Sequence, residues 1–402
     1  MKPIKAILVL AVVVVLFGAT AGYKHPFSRQ RGVGGSDGLV FDAPLTSSLV
    51  DNKGAAATFT RASTATQSII DATCTTTTLS TVASGSPRFD CACDSSDTRI
   101  CGIRAEPLAI NTVLHSDGLD NVAWTPAAGV TVTANHAVAP DGTTTADQIE
   151  ATAGGLLQTV TVTASAQYTA SFLLKAAAPV TVPVIVDGTS TNCNVLTTWT
   201  TCSSTDASSS STSIILGLGV GTYVVDAWSA QNELGSIRTS RIATTTAAVQ
   251  RNADALSYPF VVPQVGTMRM QVLCPNLSAY IGSTAGLVTL SAGATTDFIE
   301  TNITAIVITN DSSIKIKYNN ATQSSLSSGY KATDGTINTI HSQWSANNNA
   351  CYQDFVTSQN PDTSATIPAA TTLYLGDYRG TIGSGHGCLV SGVRVYKKQV
   401  LK

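Results

Sequence analysis

The chain has 402 residues; 43% are hydrophobic, only 12% are charged, and the formal net charge is -2. The apolar share excludes disorder as the default state, and the near-neutral balance removes the electrostatic case for a nucleic-acid partner. The length suggests two or three domains. Residues 1–22 read as an export signal: Lys2 and Lys5 precede the apolar run "AILVLAVVVVLF" (6–17), and "ATA" (19–21) supplies the small residues of a cleavage site before Gly22. A retained membrane anchor is the alternative, because the uncharged stretch from Ala6 to Tyr23 approaches a spanning length. Residues 23–38 form a polar, Gly-rich linker whose "GVGG" lacks the G-K-[ST] of a phosphate loop.

Residues 39–108 are a strand-forming, Cys-rich segment. Within "FTRASTATQ" (59–67) the only charge is Arg61. Its expected role is structural, the guanidinium tying a strand end to carbonyls or to an acid such as Asp90. Nine cysteines beside an export signal point to disulfides. Cys193 and Cys202 can staple a hairpin, and Cys74, Cys91, Cys93 and Cys101 can form two local bridges. Cys274, Cys351 and Cys388 share the last third, so at least one cysteine is left over.

Residues 109–254 carry short alternating runs, among them "GVTVTAN" (129–135), "LLQTVTVTA" (156–164), "YTASFLLKA" (168–176) and "VTVPVIVDG" (180–188). Turns are expected at "PDG" (140–142), "GG" (154–155) and "DG" (187–188), with "GTYVVDAWSAQ" (221–231) as a closing strand. "RNADALSYP" (251–259) marks a join, and residues 255–402 continue in the same style, from "GTMRMQVLC" (266–274) to "CLVSGVRVYKK" (388–398). The fold class expected is all-β: tandem antiparallel β-sandwiches of jelly-roll type after the signal-like hydrophobic segment.

Three stretches carry a family resemblance. They are "FTRASTATQ" with "SPRFD" (86–90) and "GIRAEPLAINTVLHSDGLDNVAWT" (102–125); "VTVTANHAVAPDGTTTADQIEAT" (130–152); and "DAWSAQNELGSIRTSRIATTTAAVQRNADAL" (226–256). Together they resemble a group of phage and prophage tail-fibre or head-fibre proteins. The resemblance implies a galactose-binding-like carbohydrate module over 109–254 and a concanavalin A-like (laminin-G-like) sandwich over 255–402. It also implies a virion or extracellular location, other virion or filament proteins as partners, and a homo-oligomer. The cysteines between 74 and 101 and the signal-like N-terminus depart from that group.

No catalytic constellation is legible. None of the five histidines lies in H-E-x-x-H, and "GSGHG" (383–387) is not a nucleophile elbow. No pair of carboxylates stands out for glycoside hydrolysis. Aromatics interleaved with amides suit sugar hydroxyls and ring faces. Trp344, Asn347, Asn348, Tyr352 and Tyr378 are therefore the candidate ligand-binding residues, with Trp124, Trp199 and Trp228 as further aromatics in the middle domain. No cofactor is expected beyond a structural calcium, for which Asp117, Asp120 and Asp226 are candidate oxygen donors. The function expected is non-catalytic binding of host cell-surface glycan by a virion part. A secreted bacterial adhesin or filament subunit is the alternative, and a polysaccharide-degrading enzyme a minor one.

Overall fold

The computed structural model describes residues 38–206, 210–274, 284–292, 296–305, 310–331, 335–346, 348–353, 364–375 and 388–398. The signal-like segment and residues 23–37 of its linker lie outside these. The described residues contain no helix; the protein is all-β, with antiparallel sheets stacked as sandwiches.

The first strands are β1 (Leu39–Ala43), β2 (Thr58–Thr60), β3 (Ala65–Ile70), β4 (Thr77–Val82), β5 (Phe89–Cys93), β6 (Arg99–Arg104) and β7 (Ala109–Asn111). Next come β8 (Thr125–Pro126), β9 (Val130–Val138), β10 (Thr144–Thr161), β11 (Tyr168–Lys175), β12 (Val180–Val186), β13 (Thr189–Val195), β14 (Thr200–Thr205), β15 (Ser213–Leu234) and β16 (Val249–Arg251). The last are β17 (Ala255–Pro259), β18 (Gly266–Leu273), β19 (Thr284–Ser291), β20 (Phe298–Ala305), β21 (Asn310–Tyr318), β22 (Ala321–Lys331), β23 (Ile337–Trp344), β24 (Ala350–Gln353), β25 (Thr372–Leu375) and β26 (Leu389–Tyr396).

Strand period explains the middle sandwich. Val182, Val184 and Val186 alternate inward along β12, and each is fully buried. β12 turns into β13 through Asp187 and Gly188, both at positive φ, which is the primed turn that matches strand twist. The spine is the antiparallel pair β10–β15, running from Asp147↔Ala227 to Thr161↔Ser213. The first half of β10 and the last half of β15 sit with β9, β11 and β14; their other halves sit with β8, β12 and β13. Gly154–Gly155, expected as a turn, lies inside β10, where the register shifts and the strand continues. One apolar core fills the sandwich, with Phe172, Val184, Leu216 and Val225 among its members. Each such side chain contributes about 1.5–3 kcal/mol on burial.

The second sandwich recruits strands from both ends of the chain. One sheet runs β24-β23-β18-β26-β6-β5-β3-β4, with β1 also on β26, and the other runs β2-β17-β25-β19-β20-β21-β22. Among the described residues its pairing is antiparallel except at Ile69↔Cys91, where β3 meets β5 in parallel. The 39–108 segment is thus part of this composite sandwich, closed over a core that includes Phe41, Ile103, Tyr258, Met270, Trp344 and Val393. The middle sandwich is an insertion. Its chain leaves along β7 and returns along β16, which pair as Ala109↔Arg251 to Asn111↔Val249.

The cysteines pair as Cys74–Cys93, Cys91–Cys101, Cys193–Cys202 and Cys274–Cys388, and buried Cys351 takes part in none of these bridges. Cys193–Cys202 does more than staple a hairpin. It joins β13 of one layer to β14 of the other, beside a Thr191–Ser204 hydroxyl contact of 3.1 Å, and so closes an open edge of the sandwich. Four disulfides fit an oxidising, extracellular setting. No helix among the described residues is long and apolar enough to cross a membrane.

Candidate functional site

Where the insertion leaves and re-enters the composite sandwich, the chain gathers a buried ionic cluster. Arg61 donates from Nη1 to Asp254 Oδ1 at 2.8 Å, and from Nε and Nη2 to the carbonyls of Ser63, Ala83 and Ser86 at 2.9 Å each. Its guanidinium also stands 5.5 Å from the Phe59 ring centre. Arg88 binds the second oxygen of Asp254 and donates to Glu106 Oε2 at 2.9 Å. Arg251 completes the cluster, 3.3 Å from Glu106 and bonded to the Pro107 carbonyl at 2.7 Å. Burial raises the Glu106 carboxyl, but the Arg88, Arg251 and Arg104 guanidiniums more than reverse that and hold it well below the usual carboxylate range. Arg61 is an anchor, as expected, but its acid is Asp254. Asp90 instead accepts from Arg104 Nε at 2.6 Å.

This cluster backs a cleft of about 600 Å³ between the insertion and the composite sandwich, a volume in the usual range for ligand sites. One wall is the outer face of β14. Cys202 and Ser204 point inward, so Thr201, Ser203 and Thr205 form a row of hydroxyls along the cleft. Thr169 of β11 extends the row, its hydroxyl 2.9 Å from that of Thr205. The opposite wall comes from Thr66 and Ser68 of β3 and Thr77 and Leu79 of β4. Half-buried Trp199 lines the cleft and packs with Leu79 and Leu173 around buried Trp228.

The remaining wall is the segment from Ser236 to Arg241. Arg241 stacks 4.2 Å from the centre of the Trp228 ring and pairs with Asp117. Thr66 Oγ1 donates to the Arg241 carbonyl at 2.8 Å, and Leu79 N to the Pro140 carbonyl at 2.9 Å, so both walls are fastened together. The carboxylates that reach the cleft are occupied. Asp90 is held by Arg104 and by the Ser68 amide, and Glu106 by Arg88 and by Ser240 through its amide and hydroxyl. The cleft therefore offers hydroxyls, an indole and guanidiniums.

Of the residues singled out in sequence for a ligand, Trp344, Asn348 and Tyr352 share the β23–β24 hairpin, and none of the three lines this cleft. Trp344 lies in the composite core, wholly buried, with Nε1 donating to the Pro263 carbonyl at 2.8 Å, so it presents no face to a ligand. Tyr352 is buried on β24, and burial pushes its phenol up. Asn348 is half-buried, its carbonyl accepting from Ser345 Oγ at 3.2 Å. Asn347 and Tyr378 lie outside the described residues. Trp124 and Trp228 are core residues, which leaves Trp199 as the middle-domain aromatic that lines the cleft.

The three acids considered for calcium do not converge. Asp117 faces Arg241, Asp226 meets His136 Nδ1 at 2.8 Å, and the Asp120 amide donates to Asp147 at 3.1 Å. Among the described residues no three His, Cys, Asp or Glu side chains gather as a metal group. Asp147, not singled out in sequence, accepts the amides of Leu119, Asp120 and Asn135 and clamps that corner of the sandwich.

No protein-family model matches the chain, and no curated protein matches it. Solved structures match in part. The receptor-binding domain of botulinum neurotoxin type G is 7% identical over 36% of this chain and 39% of its own, with a TM-score of 0.28. A heptameric SAP-like pentraxin from Limulus polyphemus is 13% identical over 36% of this chain and 70% of its own, at 0.27. SCLam, a family GH16 endo-β-1,3(4)-glucanase, is 13% identical over 39% of this chain and 66% of its own, at 0.28.

Proposed function

We propose that the cleft between the insertion and the composite sandwich binds a glycan, and that the protein is a non-catalytic attachment component of a virion or cell surface. The observation that carries this is the facing of two hydroxyl rows, from β14 and from β3–β4, in one cleft with Trp199. Hydroxyl rows match the alternating donors and acceptors of a saccharide, and an indole face stacks on sugar C–H groups. The occupied carboxylates favour holding a sugar over cleaving it.

The fibre-like motifs support a virion part, with other virion proteins and further copies of the chain as partners. The four disulfides support the alternative, a secreted adhesin or filament subunit that matures in an oxidising compartment. A glycan array probed with the full chain and with Trp199→Ala tests the common core of both. Binding to a defined set of glycans that Trp199→Ala abolishes is the expected result. No glycan binding, or binding indifferent to Trp199, overturns it.

A further inference from the structure

Given a saccharide site in this cleft, its charges indicate which saccharide. We propose that the cleft takes an acidic sugar whose carboxylate is received by Arg238. The other guanidiniums at the site already have acids: Arg104 has Asp90, Arg241 has Asp117, and Arg88 has Glu106 and Asp254. Arg238 lines the cleft and is half-buried, yet it has no carboxylate within ion-pairing distance among the described residues. Its guanidinium donates from Nη2 to Ser229 Oγ at 3.0 Å, and its Nε is buried with no hydrogen-bond partner.

The acids whose charge reaches Arg238 are Glu233 and Glu106. Both are engaged elsewhere. Glu233 accepts from Thr239, through amide and hydroxyl, and from Gln231 Nε2, while Glu106 faces Arg88, Arg251 and Ser240. Burial lowers Arg238 to about 10, which still leaves it fully charged at neutral pH. A guanidinium that lines the cleft with no acid of its own, and whose Nη1 has no acceptor among the described residues, is a ready receiver for an incoming carboxylate, because a guanidinium donor matches a carboxylate oxygen in geometry and charge. A neutral sugar leaves that donor unpaired, so the site discriminates by what it fails to satisfy. Trp199 and the Thr201–Ser203–Thr205 row then hold the ring and its hydroxyls.

Isothermal titration of the full chain tests this with uronic-acid and sialylated oligosaccharides, each beside its carboxyl-reduced counterpart. The expected result is about a tenfold or greater preference for at least one acid over its reduced form. Arg238→Gln should remove that preference, Arg238→Lys should retain part of it, and added salt should weaken it. Should Arg238→Gln fail to fold, the Lys variant and the salt dependence of the wild type test the same point. Equal affinity for acid and reduced form, or a preference that survives Arg238→Gln, overturns the proposal. If Trp199→Ala abolishes that equal binding, the glycan-binding reading stands without the acidic specificity. If no saccharide of either kind binds, both fall.

Discussion

Arg61 and Asp254 are 193 positions apart in sequence and form a buried ion pair of 2.8 Å. The other oxygen of Asp254 holds Arg88, so one carboxylate joins the "RAST", "PRFD" and "RNAD" stretches at the root of the insertion. Glu106 of "RAEP" joins the same cluster through Arg88 and Arg251. These motifs therefore share a physical purpose: they seal the junction where one sandwich is threaded into another.

Asp254→Asn should destabilise the fold by about 3–5 kcal/mol, because it leaves Arg61 buried without its counter-ion and takes from Arg88 one of its two acids, Glu106 remaining. The midpoint of urea unfolding measures this. A double-mutant cycle should find strong coupling between Arg61 and Asp254 and almost none between Arg61 and Asp90, which serves Arg104. An Arg61→Ala variant as stable as wild type would contradict the anchor role.

Acid should loosen the same junction. The folded-state value of Glu106 is depressed, so its contribution is fully present above the unfolded value of about 4.3 and is lost as pH falls below it. Glu233 acts in the opposite sense. Burial raises it, so its contribution is present at low pH and is lost as pH rises through its folded value. Unfolding midpoints measured from neutral to acid pH should fall less steeply in Glu106→Gln than in wild type. An unchanged acid slope in Glu106→Gln would contradict the assignment.

The bridges should differ in weight. Cys274–Cys388 closes a separation of 114 residues and Cys193–Cys202 one of 9. Loop entropy then assigns them about 4.8 and about 2.6 kcal/mol. Paired Cys→Ser variants, compared by unfolding midpoint, should follow that order. Thiol titration should find no reactive group in the native chain and a single one, Cys351, after denaturation.

Gly102→Ala should damage the composite sandwich selectively. A Cβ there would lie 2.2 Å from the Val390 carbonyl oxygen, where β6 meets β26. Backbone cannot yield that distance cheaply, so the seam between N-terminal and C-terminal strands should open. Hydrogen exchange would show lost protection along β6 and β26, with protection in β10 and β15 retained.

Much of the fold was legible in the sequence because strand patterning is local. The alternation in "VTVPVIV", the Asp187–Gly188 turn and the pairing of Cys193 with Cys202 each follow from neighbours in the chain. The double-glycine at 154–155 misled because a turn and a bend inside a long strand use the same residues. Trp344 misled for a related reason: polar neighbours suggest exposure, but strand register turned its ring into the core.

By itself the sequence determined an all-β protein with an oxidised cysteine set, since strand period and residue type fix which faces are apolar. Only the tertiary structure decided that residues 39–104 and 255–396 share two sheets, and that Arg61 answers to Asp254 instead of Asp90. Only it brought Trp199, the hydroxyls of β14 and β3, and Arg238 to one cleft. Long-range pairing is set by hydrogen-bond register between distant strands and by the need of buried charges for partners, and neither leaves a local trace in the chain.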